Sequence, residues 1–291
     1  INTTQSNAGY NFTSGTSYAA PHVSGAAALL LQKNPELHHH EIKSLLLTTV
    51  EPVSDAFGEE FSIQESGAGR LNIAKAFDAK LIIEPPNFVV MVSSDNKVVE
   101  KQFHLKSLDG TWDGFDVSYD GPEFVKFSGE LVNENILNVR MSVLEENFGE
   151  HEGKIRISHG SIQYVVPFVL HYTPGSISIV QQNENLFFDV YHPEEWSFAK
   201  ISITNSKDGR IDITTATPDK PASIEIYENA EYWVDAKIRV NGNTSSAYNT
   251  IDIRTLEEKE RLGFDIPERQ MSIIAGAVII IGIVGIVLKR R

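Results

Sequence analysis

A serine hydroxyl becomes a useful nucleophile only where a base can take its proton and where donors can hold the charge that develops on the attacked carbonyl oxygen. Ser17 lies in a run whose residue types meet the second need: Gly15-Thr16-Ser17-Tyr18-Ala19-Ala20-Pro21-His22-Val23-Ser24-Gly25. Gly15 permits a tight backbone approach, and Pro21 is tolerated only near a helix start, so the run predicts a helix beginning at Thr16 or Ser17. Ser17 then stands in a first turn, where free N–H groups and the positive end of the dipole favour an oxyanion, and its own backbone N–H can be one donor. The base is harder to find. His22 lies about 140° around the helix from Ser17 and roughly 7.5 Å along it, so it cannot face the hydroxyl and is expected to be a packed, hydrogen-bonded core histidine. His38, His39 and His40 invite a metal site, yet neighbouring helical residues point about 100° apart, and a solvated helix start is the expectation. Ser14 and Ser24 read as turn and helix-packing residues. His104, His151, His159, His171 and His192 fall in β-rich sequence far from Ser17.

The elements that would position Ser17 follow from periodicity. The run from Gly15 to Asn34 is apolar on most faces and rich in small residues, which predicts a helix through a core, with Gly25 and the alanines allowing close neighbours and Pro35 ending it. A second helix is expected where Ile42, Leu45, Leu46 and the Thr49 methyl keep the spacing of one face. Gly67-Ala68-Gly69 reads as a turn before a short helix from about Asn72 to Ala79. After Ala79 the period changes to two. Short β-rich runs separated by Asp, Asn, Gly and Pro predict one sandwich over 81–173 and, after Thr173-Pro174-Gly175, another over 174–255.

The motif resembles the nucleophile signature of the subtilisin family of serine peptidases, G-T-S-x-A-x-P-H-V-x-G, with Gly15, Thr16, Ser17, Ala19, Pro21, His22, Val23 and Gly25 matching its eight specified positions. The likeness runs from Ile1 to about Ala79. It implies that residues 1–80 are the C-terminal part of an α/β subtilisin-like catalytic domain and that peptide bonds of protein or peptide substrates are hydrolysed through an acyl-enzyme on Ser17. In that family the triad Asp and His and the Asn oxyanion donor precede the serine, whereas the sixteen residues before Ser17 contain neither Asp nor His. The chain therefore reads as a fragment, inactive alone. The rival expectation is a surface binding or adhesive protein with an inactive protease-like domain. Gly149 to Ile157, with Val166-Pro167-Phe168, resembles the end of a fibronectin-type module. No cofactor or metal ligand set is evident in the residues, and structural calcium is allowed by the resemblance alone.

Composition narrows the partners. The net charge of −14, from 25 basic and 39 acidic residues, leaves no basic block to track a phosphate backbone, so nucleic acid is not expected as a partner. The chain has no cysteine, hence no disulfide and no thiol chemistry. From Met271 to Leu288 no residue is charged, and Lys289, Arg290 and Arg291 follow. As a helix that run spans about 27 Å, close to a bilayer core, which predicts one transmembrane helix with a cytoplasmic tail. Residues 256–270 then form a stalk, and all that precedes the span lies outside the cell. The sequons at Asn2, Asn11 and Asn243 suit that side. An alternative for the tail is a sorting signal cut off after export.

Overall fold

The computed structural model describes residues 2–4, 9–12, 14–112, 115–132, 135–226 and 228–253. The expected stalk, span and tail lie outside the described residues, and among those described no helix is long and apolar enough to cross a membrane. The described chain is mostly β-sheet with few helices.

Strands β1 (Asn2–Thr4) and β2 (Tyr10–Phe12) pair antiparallel ahead of α1 (Thr16–Lys33). The helix begins where Gly15 and Pro21 predict and closes at Asn34, just before Pro35. It does not run through a core. Only Ala26 and Leu30 are buried, while Val23 is 48% and Leu29 42% exposed. Among the described elements, α2 (His39–Thr48) and the later α4 are the main ones packed on it, and a helix apolar on most sides is not covered by two neighbours. The second helix meets its expectation: Ile42, Leu45, Leu46 and Thr49 are all buried. A four-residue helix, α3 (Ile63–Ser66), capped by the Ser62 side chain, was not foreshadowed, because one turn is too short to show a period. At Gly69 the backbone has φ +134° and a Cβ would come within 2.4 Å of the Glu51 carbonyl oxygen, so only glycine lets the chain cross there. Helix α4 (Ile73–Asp78) follows, capped by Asn72 Oδ1 accepting from the Lys75 N–H at 2.9 Å.

Two four-stranded sheets come next. One joins β3 (Leu81–Glu84), β5 (Val98–Ser107), β8 (Ile136–Val143) and β7 (Val125–Val132) in that order. The other joins β4 (Phe88–Ser93), β10 (Ile162–Thr173), β9 (Gly149–His159) and β6 (Asp116–Asp120), with β10 parallel to β4 and the remaining pairs antiparallel. The sheets meet through the Phe88 ring, 5.1 Å from that of Phe103 and 5.4 Å from that of Phe168. A second sandwich packs β11 (Ser176–Gln182), β12 (Asn185–Tyr191) and β15 (Ala222–Glu225) against β14 (Ile211–Ala216), β13 (Trp196–Asn205), β16 (Glu231–Val240) and β17 (Asn243–Asp252). Its core, around Phe188, Ile201 and Ile238, is a separate apolar cluster.

The first core crosses residue 80. Ala26, Leu30, Leu45 and Ala76 of the helices belong to the same cluster as Ile82, Phe103, Val139 and Leu170 of the strands. Strand β3 is an edge, paired only with β5, and α2 lies along its free side. There the buried Ser44 hydroxyl donates to the Ile83 carbonyl at 2.7 Å and accepts from the Ile83 N–H at 3.0 Å. The buried Tyr164 hydroxyl accepts from the Lys80 and Leu81 N–H groups at 2.8 and 3.0 Å. Further out, the Glu152 carboxylate accepts from the Ile63 and Gln64 N–H groups at 2.6 and 3.2 Å, and Lys154 pairs with Glu60. Because both polar groups of Ile83 lose their only partner, Ser44→Ala is expected to destabilise the chain by about 1–3 kcal/mol. Chemical denaturation, with Ser54→Ala at an exposed position as a control, checks this.

Candidate active site at the start of α1

Ser17 is the second residue of α1 and is exposed. At that position its N–H has no intrahelical acceptor. Its carbonyl is also left open, since Pro21, which falls inside α1 rather than at its first position, has no N–H to donate four residues back. The turn is closed by the Tyr18 N–H donating to the Gly15 carbonyl at 3.1 Å, with Gly15 at φ 154°. The geometry thus offers an exposed hydroxyl beside a free donor at the positive end of an eighteen-residue helix.

The surrounding motif residues are placed as follows. Thr16, Ala19 and Pro21 are exposed on α1. His22 is hydrogen-bonded, its Nδ1 donating to the Tyr18 carbonyl at 2.9 Å, but it is exposed and not a core residue as expected. Gly25 would meet nothing within 4 Å if it carried a Cβ, so the close packing expected there is not made among the described residues. Both corrections have one cause: the α1 face that carries them has no described element against it. Ser24 donates to the Ala20 carbonyl at 3.2 Å within the helix.

Among the described residues no histidine is bonded to Ser17. Of those residues, His104 lies on β5 and four other histidines are held elsewhere: His151 on the Asn147 carbonyl at 2.8 Å, His159 on the Thr111 carbonyl at 3.0 Å, His171 by Glu150 at 3.4 Å and His192 by the Glu194 N–H at 3.1 Å. At the start of α2 the His38 and His40 rings stack and His39 meets His40 edge-on, with His40 Nε2 3.5 Å from Glu84. Burial lowers the His40 pKa below its ordinary value, outweighing the opposing pull of Glu41. Among the described residues no three His, Cys, Asp or Glu side chains converge.

The electrostatics that position the helices centre on Glu41. It is buried, its Oε1 2.5 Å from Lys106 Nζ on β5 and its Oε2 accepting from the His38 N–H at 2.8 Å. Burial alone would raise its pKa, but the hydrogen bonds and charge of Lys106, with the His38 N–H, hold it below the ordinary value.

The start of α1 thus presents an exposed serine at the head of a helix, with glycine before it and proline after it, and comparison with known proteins bears on the segment that carries it. Residues 1–74 match the family model described as Peptidase_S8, the subtilase family. The minor extracellular protease Vpr of Bacillus subtilis (strain 168) is 23% identical over 164 residues, an alignment covering 52% of this chain and 20% of that protein. The subtilisin-like protease SBT1.5 of Arabidopsis thaliana is 39% identical over 83 residues, covering 26% of this chain and 11% of its own length. The match thus supports the subtilase family for the N-terminal segment, and the chain spans a fifth or less of these relatives. Titin domains A168–A170 superpose with a TM-score of 0.24 at 7% identity, covering 60% of this chain and 66% of theirs, too low a score to assign a fold.

Because the folded-state pKa of Glu41 is depressed, its contribution to stability is complete above the unfolded carboxylate value and is lost as pH falls through the folded one. Melting temperatures between about pH 7 and pH 3 are expected to fall more steeply for the parent than for Glu41→Gln below about pH 4.3. At neutral pH the variant should be the less stable, since it loses the Lys106 pair.

Proposed function

We propose that this chain is the nucleophile-bearing portion of a membrane-anchored, extracellular subtilisin-like serine endopeptidase. The observation that carries the reading is Ser17 exposed at the head of α1, within the segment that matches the subtilase family. In the complete protein, Ser17 Oγ attacks a peptide carbonyl while a base takes its proton. The Ser17 N–H holds the oxyanion, the tetrahedral adduct collapses to expel the amine, and water then cleaves the acyl ester to release the acid and restore the hydroxyl. Protein or peptide segments are the substrates. The base and the second oxyanion donor come from residues outside 1–291. The sandwiches, of fibronectin or immunoglobulin type, carry the catalytic unit above the membrane on the 256–270 stalk.

A second reading is favoured by the missing base: a surface binding protein whose protease-like domain has lost its chemistry. Labelling separates the two. In the full-length protein a fluorophosphonate is expected to label Ser17, and Ser17→Ala to abolish both labelling and peptide cleavage, a loss of about 10⁶-fold in rate. The 1–291 chain alone should do neither. Full-length protein that binds its partners but is neither labelled nor active would leave the binding reading in place.

The anchor has its own test. In intact cells, protease added outside should digest residues 1–270 while a tag placed after Arg291 stays protected. A digested tag would remove the single-span topology, and a mature chain ending near Gln270 would mark the tail as a sorting signal.

A further inference from the structure

Strand β14 reverses the usual pattern of a strand laid over a core. Its register sets Ile211 beside Thr204 and Ile213 beside Ser202 on the outer side of the second sandwich, where they are 59% and 55% exposed, while Asp212 and Thr214 take the inner positions. Two strands along, Trp233 shares the row of Thr204 and is 44% exposed. Charge of opposite sign borders these rows. Glu231, two residues before Trp233 on β16, lies on the same face, and Asp252 of β17 stands beside it. At the other end, Lys200 of β13 and Lys237 of β16 share a row. Along the strands the outer face therefore runs from an acidic row through the rows of Ile211 and Ile213 to a basic row. Asp235, in the Ile213 row, is answered by Lys237 at 3.4 Å. On the β17 side the first sandwich stands close, its His171 ring 5.3 Å from that of Tyr248, so the open part of the face is β14, β13 and β16.

We propose that this face pairs with the same face of a second copy of the chain. Two identical faces close on each other about a two-fold axis lying between them. With the axis across the strands, between the Ile211 and Ile213 rows, Ile211 of one copy lies over Ile213 of the other, and the Glu231 row lies over the row of Lys200 and Lys237. Acid then meets base on both sides of the axis. With the axis along the strands, acidic row would face acidic row and basic would face basic, so the charge order selects the antiparallel pair. A lipid surface fits less well, because Glu231, Asp235 and Asp252 would be pressed against it. The three open strands cover roughly 14 Å by 30 Å, small for a permanent dimer, so the pair is weak and reversible. This pairing is independent of the chemistry at Ser17 and of the anchor.

The test measures the mass of the 1–291 chain in detergent by sedimentation equilibrium. A monomer–dimer equilibrium with a Kd on the order of 10 μM at low salt is expected, weakening as salt is raised. Glu231→Lys and Lys200→Glu each set like charges against one another across the axis, so each should weaken the dimer about tenfold. An equimolar mixture of these two variants should restore it, because in the mixed pair the two altered positions meet and so do the two unaltered ones. Ile211→Ser combined with Ile213→Ser should abolish it at an unchanged melting temperature, since both side chains are already exposed. A chain that stays monomeric to about 200 μM overturns the proposal. So does a dimer that all these variants leave intact, which would place the contact elsewhere, and so does weakening in both charge variants without recovery in their mixture. Tryptophan emission of a monomer quenched by a brominated detergent, and not in Trp233→Phe, would give the face to lipid instead.

Discussion

A single buried hydroxyl closes the seam on which the described N-terminal half depends. Strand β3 is an edge, and the N–H and C=O of Ile83 face away from β5 into the space taken by α2. Water cannot satisfy them there, and an edge covered by an apolar helix face would leave both groups unpaired at a cost of about 1–3 kcal/mol each. Ser44 answers both at once, as donor to one and acceptor from the other. With α2 fixed in this way, α1 and α4 pack upon it, so the helix that presents Ser17 stands on the sandwich through α2. The first sandwich is therefore a footing for the helix that carries Ser17.

Charge reinforces this seam unevenly. Arg70 with Glu51, and Lys97 with Glu146, are exposed pairs, of a kind worth about 0–1 kcal/mol. Glu41 differs because its side chain is only 5% exposed, so removing Lys106 would strand a buried carboxylate. Glu152 acts by direction more than by charge, its two oxygens meeting the first N–H groups of α3 from across the seam. These contacts tie the helices to β5 and β9, one strand from each sheet of the sandwich.

The second sandwich follows a different logic. Its core is its own, and it meets the first where β17 touches β10 and β4. At the crossing, a Cβ on Gly175 would fall 2.7 Å from the Tyr191 carbonyl oxygen and 2.8 Å from Ile238 Cδ1, so the chain can pass there only as glycine.

Much of this was legible in the residues. Pro21, Pro35 and Asn72 mark helix ends because each acts on the backbone next to it, and alternation along β8, with Leu137, Val139 and Met141 inward, follows from the two-residue repeat of a strand. The motif around Ser17 is likewise a local pattern. Other features depended on what packs from far away. Leu81-Ile82-Ile83 does not alternate, because one side meets the sandwich core and the other α2, so the edge strand was missed. The polar opening of β17, from Asn243 to Ser246, carries no strand signal, and β16 alone makes it one. His22 was expected in a core, since its helix is apolar, yet burial is decided by the neighbours a helix finds. Periodicity and capping are properties of adjacent residues and were determined by the sequence itself. Exposure, the seam at Ser44 and the single core shared by the helices and the first sandwich arise between segments brought together only by the tertiary fold, whose pairings leave no local trace.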